Sequence, residues 1–180
     1  MALATGKVVV YLQSPERATV NLLVISMPQS YAGLYIHIIF RTKDKHTLIP
    51  NDIFERVGEY IGGTIRDEGG TLLAFGGMPD HLHLLVSIGR EMTVADIAKK
   101  IKGSSSKWIH EQFRHLNSFS WQAGYGAFSV SPSVIPKVKE YIAHQKEHHT
   151  KRTYMQELKL FLDEYGVEYD QKWLSDEDAP

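Results

Sequence analysis

Met78-Pro79-Asp80-His81-Leu82-His83-Leu84-Leu85-Val86 decides the fold. It reads as a strand entered from a Gly76-Gly77-Met78-Pro79 turn, with two histidines two residues apart. Strand side chains alternate, so His81 and His83 share one face while Leu82, Leu84, Val86 and Ile88 share the other. Two imidazoles on one strand face make half of a metal site, although a His-x-His pair also occurs as ordinary strand residues. What surrounds the pair decides between the two readings.

Upstream, Tyr31 to Arg41 is rich in β-branched and aromatic residues and reads as a strand. One parity (Ala32, Leu34, Ile36, Ile38, Phe40) is apolar; the other (Tyr35, His37, Ile39, Arg41) is mixed. Asn51 is expected to cap a helix running to about Glu68, ended by Gly69-Gly70. Thr71 to Phe75 is a strand that turns into the histidine strand as a hairpin. Thr93 caps a second helix to about Phe113, with a break expected at Gly103-Ser104-Ser105-Ser106. Trp121 to Ser129 supplies a fourth strand. The order β-α-β-β-α-β is the ferredoxin-like split βαβ arrangement of the α+β class, an antiparallel sheet with two helices on one face. Leu82, Leu84, Val86 and Ile88 meet those helices, which puts His81 and His83 on the other face.

A third helix, from Ser133 to about His149 with Pro136 in its first turn, carries Val134, Val138, Tyr141 and Gln145 on one stripe. If it packs on the uncovered face, Gln145 Oε1 comes within reach as a third ligand and the Tyr141 phenol lies one turn away. The plainer alternatives are a core aromatic for Tyr141 and a surface amide for Gln145. Two imidazoles and an amide oxygen suit Mg²⁺ or Mn²⁺ with positions left for a phosphate oxygen. A phenol beside it is a candidate nucleophile at phosphorus. A short helix from Thr153 to Tyr165 and an acidic tail close the chain.

Composition bounds the rest. At 180 residues the chain holds one domain with some decoration, and with no cysteine it has neither disulfides nor a thiolate metal site. No apolar run reaches the ~20 residues of a membrane span, so a cytoplasmic location is expected. The net charge of −1 conceals an uneven distribution. Residues 31–152 hold 16 Lys/Arg against 12 Asp/Glu, and residues 153–180 hold 2 against 8. Local charge governs phosphate binding, so the basic middle remains a candidate for nucleic acid. Arg41, Lys43 and Lys45 at the exit of the first strand, and Lys99, Lys100, Lys102 and Lys107 on the second helix, are the candidate phosphate contacts; each is equally readable as a solvated surface charge. Residues 1–26 contain two strand-like runs, Lys7 to Leu12 and Val20 to Ile25, with no evident partner. They read either as an upstream extension or as an extra edge strand.

The chain resembles the single-tyrosine HUH transposases of the IS200-like bacterial insertion-sequence family. The matching stretches are His37-Ile38-Ile39-Phe40 with Thr42-Lys43, Pro79-Asp80-His81-Leu82-His83-Leu84-Leu85, Ile101-Lys102-Gly103-Ser104-Ser105-Ser106-Lys107-Trp108-Ile109, Trp121-Gln122-Ala123-Gly124-Tyr125, and Tyr141-Ile142-Ala143-His144-Gln145. The resemblance implies a transposase domain over residues 27–173, followed by the acidic tail 174–180, with residues 1–26 outside it. It implies His81, His83 and Gln145 as ligands of a divalent metal and Tyr141 as nucleophile, forming a 5′-phosphotyrosine and a free 3′-OH on single-stranded DNA. It also implies recognition of a DNA hairpin near the element's end and a homodimer joined through its sheets. In that dimer the tyrosine helix of one subunit can complete the site of the other, with residues 129–135 as the hinge. His37 is read as a structural histidine, Asp80 as a turn residue or a partner behind the histidines, and His148 and His149 as surface residues or phosphate partners. Two rivals are a domesticated relative acting on repeated hairpins and a non-catalytic ferredoxin-like nucleic-acid-binding module.

Overall fold

The computed structural model describes residues 7–12, 21–26, 31–43, 48–148 and 152–170. Lys45, His149 and the tail 174–180 lie outside them. Two compact units divide the chain, Met1–Ala32 and Gly33–Pro180. In the first, β1 (Lys7–Leu12) and β2 (Asn21–Ser26) pair antiparallel, so each of the two apolar runs is the other's partner.

The second unit contains β3 (Leu34–Arg41), α1 (Phe54–Asp67), β4 (Thr71–Met78), β5 (His81–Ile88), α2 (Val94–Gln112), β6 (Gly126–Ser129), α3 (Ile135–Ala143), α4 (Gln145–His148) and α5 (Tyr154–Glu164). The sheet order is β4-β5-β3-β6, and every neighbouring pair is antiparallel. This is the split βαβ topology, with β5 and β3 in the two central positions. One face carries the main core. Ile38 and Phe40 of β3 and Leu82, Leu84, Val86 and Ile88 of β5 pack on Val57, Ile61 and Ile65 of α1 and on Ile97, Ile101 and Ile109 of α2. Each of these side chains contributes roughly 1.5–3 kcal/mol by leaving water.

Local boundaries differ from the sequence expectation for physical reasons. Helix α1 starts after Asn51, with Ile53 at its N-cap and no side-chain cap. The β4–β5 hairpin turns at Pro79-Asp80, because β4 runs on through Gly76 and Gly77 to Met78. Helix α2 passes through Gly103-Ser104-Ser105-Ser106 unbroken. There Ser105 Oγ donates to the Ile101 carbonyl at 2.6 Å and accepts from Trp121 Nε1 at 2.9 Å, so its hydroxyl is satisfied without leaving the helix. The fourth strand is only Gly126–Ser129, with Trp121 held to Thr42 by an isolated bridge.

The sheet's other face is covered as well. Leu85, Val130 and Ile142 are buried in a second cluster with Tyr35, Val138 and Tyr141, which seats α3 on the sheet. Gly76 permits this approach, because a Cβ there would collide with the Ile142 carbonyl. Helix α5 lies on the same face. Its Phe161 packs on His37 and Phe128, and the Tyr165 hydroxyl just beyond its end donates to the Ser129 carbonyl at 2.9 Å. A capping box between Thr153 and Gln156 fixes where α5 begins.

Candidate active site

Strand alternation aims His81 and His83 away from the main core, and α3, α4 and α5 close over them. Both imidazoles are fully buried. Each is oriented through its Nδ1. Asp80 Oδ1 accepts from His81 Nδ1 at 2.8 Å, and His83 Nδ1 is hydrogen-bonded to His37 Nε2 at 3.0 Å. Holding Nδ1 turns each Nε2 toward the space beneath the helices, the usual way a ligating imidazole is fixed. Asp80 is therefore both a turn residue and the partner of His81. His37 is a buried partner of His83; burial, and then the His83 charge, lower its pKa from 6.5 to about 3, so it stays neutral.

The expected single helix 133–149 is divided. A 3₁₀ turn (Pro132–Val134) precedes α3, and His144 separates α3 from α4. His144 is the C-cap of α3, where its backbone N–H and its Nδ1 both bond the Glu140 carbonyl, at 3.1 and 2.8 Å. Tyr141 and Gln145 thus sit on two different helices, yet both point inward. Gln145 is 1 % exposed, and its Oε1 accepts no hydrogen bond among the described residues. A buried amide oxygen without a donor is costly unless something electropositive meets it.

Glu157 of α5 is the residue that sequence reasoning missed. Its carboxylate is buried, with Oε2 at 3.2 Å from His83 Nε2 and 3.9 Å from His81 Nε2. Glu157 Oε1 accepts from the Tyr141 hydroxyl, and from Gln145 Nε2 at 3.1 Å. Burial pushes its carboxyl up to about 7, opposed by His81 and reinforced by Asp80. A signal existed in the sequence, since Glu157 falls on the α5 stripe between Tyr154 and Phe161, where a core residue is expected.

His81, His83 and Glu157 present ligand atoms that all lie within 4.8 Å of one another. Two imidazole nitrogens, a carboxylate oxygen and the undonated Gln145 Oε1 suit a borderline or hard divalent cation, so the residues present fit such an ion. A cavity of about 740 Å³ opens beside Tyr141, lined in part by His37, Lys137, Arg152, Glu157 and Phe161.

The candidate phosphate contacts are scattered. Arg41 is buried, 5.7 Å above the Tyr154 ring on the face that carries His81 and His83, and Lys43 is exposed nearby in sequence. Lys102 is half-buried and donates to the Gln122 and Gly124 carbonyls at 2.5 and 2.6 Å. Lys99, Lys100 and Lys107 are exposed on α2, in the layer on the other side of the sheet from Tyr141; Lys100 pairs with Glu68 at 2.8 Å and Lys107 with Glu111 at 3.9 Å. No helix among the described residues is long and apolar enough to cross a membrane.

Comparison with known proteins agrees with this geometry. The "Transposase IS200 like" family profile matches residues 30–145. The ISDra2 transposase TnpA of Deinococcus radiodurans is 23 % identical over 119 residues, covering 63 % of this chain and 85 % of that protein. The transposase of insertion sequence element IS200 from Salmonella typhimurium is 28 % identical over 116 residues, covering 62 % and 76 %. A crystal structure assigned as a transposase from Deinococcus radiodurans R1 superposes with a TM-score of 0.52 at 24 % identity, over 65 % of this chain and 94 % of that one. A REP-associated tyrosine transposase bound to a REP hairpin gives a TM-score of 0.52 at 14 % identity, over 69 % and 74 %. The two solved structures share the fold. The family match spans most of the chain and includes the histidine strand, Tyr141 and Gln145, and on that ground the chain belongs to the IS200-like transposase family.

Proposed function

We propose that this transposase cuts and rejoins single-stranded DNA at insertion-sequence ends, with Tyr141 as the covalent nucleophile and His81, His83 and Gln145 holding a divalent cation, Mg²⁺ or Mn²⁺. The observation that carries the reading is convergence. A strand and two separate helices bring two buried imidazoles, a buried amide and a half-buried phenol together. A nucleic-acid-binding module has no need of a phenol held among metal-ligating side chains.

In this reading the Tyr141 oxygen attacks phosphorus, the P–O3′ bond breaks, and the strand is left as a 5′-phosphotyrosine and a free 3′-OH. The new ester keeps the bond energy, so rejoining by a 3′-OH needs no nucleotide cofactor. A bound cation supplies Lewis acidity to the phosphoryl oxygen. Asp80 and His37 keep His81 and His83 pointing inward, and Gly76 lets α3 come close enough to place the phenol. Arg41 and Lys43 lie on the side suited to the cut strand, whereas the α2 lysines would meet only distal DNA. In a single chain α3 packs on its own sheet through Val138, Tyr141 and Ile142; a homodimer that exchanges the tyrosine helix would rebuild the same contacts between subunits. Residues 27–173 are proposed as the transposase domain, with residues 1–26 as an extension.

The test mixes protein, Mn²⁺ or Mg²⁺ and a labelled single strand carrying the end hairpin of the element. A covalent adduct that survives denaturing electrophoresis is expected from the wild type and not from Tyr141→Phe. An undiminished adduct with Tyr141→Phe sinks the mechanism. A domesticated enzyme acting on repeated hairpins, as the likeness to the REP-hairpin-bound structure suggests, keeps the same four residues. Cleavage of genomic repeat hairpins in preference to element ends would favour that reading.

A further inference from the structure

We propose that the cavity between α3 and α5 binds one nucleotide of the cut strand, the one that carries the scissile phosphate on its 5′ side and stays attached to Tyr141. This rests on the single-tyrosine reading above and adds to it a site for the retained base.

The cavity, of about 740 Å³, is walled by the two helices and reaches Tyr141. That volume falls in the ~300–1,000 Å³ range of small-ligand pockets. The helices run in opposite directions along it. Glu157, near the start of α5, meets Tyr141, near the end of α3. The Tyr165 hydroxyl, just past the end of α5, meets the Ser129 carbonyl, ahead of α3. The cavity therefore has two ends, and their chemistry differs.

The Tyr141 end is cationic toward solvent. Arg152, just before α5, and Lys137, one turn before Tyr141 on the same stripe of α3, both line the cavity and are both exposed. Glu157 lines this end too, but its carboxylate is turned to His81, His83 and the Tyr141 hydroxyl. From Leu160 and Phe161 onward the walls become apolar and aromatic, with Val130, Val134 and Tyr165. Val134, Leu160 and Tyr165 are 41, 46 and 44 % exposed, so apolar surface is left in water directly beside the nucleophile. Asp163 and Glu164 line this far end. Their carboxylates repel a phosphate there, while Arg152 and Lys137 attract one at the near end. That polarity orients a single nucleotide, phosphate toward Tyr141 and base between the apolar walls, and excludes a longer run of strand. Every base has a face that such walls can accept.

The chemistry of cleavage selects which nucleotide this is. Attacking and leaving oxygens lie roughly in line through phosphorus, so the 3′ oxygen departs on the side away from the phenol. The retained nucleotide hangs from an oxygen at the side of that line, next to the tyrosine. A cavity that shares a wall with Tyr141 is placed for the retained nucleotide.

The cavity can be tested without cleavage. Deoxyadenosine 5′-monophosphate, titrated in Mg²⁺ buffer into full-length protein with ¹³C-labelled methyl groups, should shift the Val134 and Leu160 resonances saturably. Lys137→Glu should weaken that binding by about 10-fold or more, the scale of a lost charge-assisted contact. Lys159→Glu, the same charge change at an exposed α5 position outside the cavity, should leave it unchanged. In the adduct assay, an abasic site at the nucleotide 3′ of the cut should slow single-turnover adduct formation at limiting protein by about 10-fold or more, within what stacking one base is worth. An abasic site 5′ of the cut should cost much less. The two wild-type measurements need no folded variant. Methyl resonances unmoved at millimolar nucleotide overturn the proposal, as do equal losses from the two lysine variants or equal losses from the two abasic strands. A wild type that forms no adduct on the intact strand fails the single-tyrosine reading, and with it the identity of the nucleotide, while the titration still decides whether the cavity binds one.

Discussion

Strand β5 separates two chemistries across the thickness of one sheet. Toward α1 and α2 it presents Leu82, Leu84, Val86 and Ile88, which meet hydrocarbon from both helices. Toward α3 and α5 it presents His81 and His83, which meet Asp80, His37 and Glu157. Both faces are equally dry, since all four leucine and histidine positions at the start of the strand are fully buried. The difference lies in what burial achieves. On the first face it removes apolar surface from water and stabilises the fold. On the second it removes water from ionisable groups, which strengthens their mutual interactions and makes each one dependent on its partners.

That contrast is broken most severely by exchanging which face is damaged. On the proposed mechanism, His83→Ala or His81→Ala should lower covalent adduct formation by more than about 1,000-fold, because both phosphoryl polarisation and phenol placement would go with the ligand. Cooperative melting should persist, and titration with Mn²⁺ followed by electron paramagnetic resonance should show lost affinity. Leu84→Ala, the next residue along the strand, should do the reverse. It should cost about 2–5 kcal/mol in denaturant unfolding, the range for a fully buried large-to-small change, with adduct formation per folded molecule close to wild type. A histidine variant that unfolds, or a leucine variant that folds but forms no adduct, would show that the two faces are not separable.

The same contrast explains what could be read from the sequence. Parity alone assigned Leu82, Leu84, Val86 and Ile88 to the helices and His81 and His83 to the opposite face, because a period of two leaves no other choice. The βαββαβ order was legible for a similar reason, with apolar stripes and glycine turns alternating along the chain. Tyr141 and Gln145 were legible as a four-residue spacing, although the intervening break at His144 was not, since Ile142, Ala143 and His144 include neither glycine nor proline to mark it. Glu157 was missed because an isolated glutamate in a short helix next to an acidic tail reads as solvated. Its burial is a tertiary fact, produced by Tyr154 and Phe161 seating α5 on the sheet. Lys102 ran the opposite way. It read as a phosphate contact or a solvated surface charge, and instead it is half-buried and bonds two loop carbonyls.

Glycines sharpen the comparison at smaller amplitude. Gly76 faces α3, where an added methyl would meet the Ile142 carbonyl, whereas Gly103 on α2 has open space around its Cα. Gly76→Ala must push α3 outward and carry Tyr141 with it. A loss of about 10-fold in adduct formation is expected, less than the ~100-fold that a full ångström of misplacement can cost. Gly103→Ala should leave the rate unchanged and raise stability by up to about 1 kcal/mol, through helix propensity alone. Equal effects from the two substitutions would mean that α3 is not held by its contact with β4.

The gentlest probe is pH, applied to metal-free protein. His37, lowered from 6.5 to about 3 in the folded state, binds fewer protons there than when unfolded, so its contribution is present above pH 6.5 and is lost as pH falls toward 3. Glu157, raised from 4.5 to about 7, binds more protons in the folded state, so its contribution is present below pH 4.5 and is lost as pH rises through 7. Between pH 4.5 and 6.5 the two slopes oppose one another, and each alone is worth at most ~1.4 kcal/mol per pH unit. The metal-free wild type should therefore show a nearly level melting temperature across that window from this pair, and a fall below it. Glu157→Gln removes one slope and should turn the level stretch into a steady fall as pH drops from 6.5. His37→Gln removes the other and should make the protein more stable as pH drops from 7 to 4.5. Opposite tilts in the two variants, measured by thermal melting in matched buffers, would establish that the histidine-bearing face holds two buried groups titrating against each other. Parallel tilts would place the pH response elsewhere in the fold.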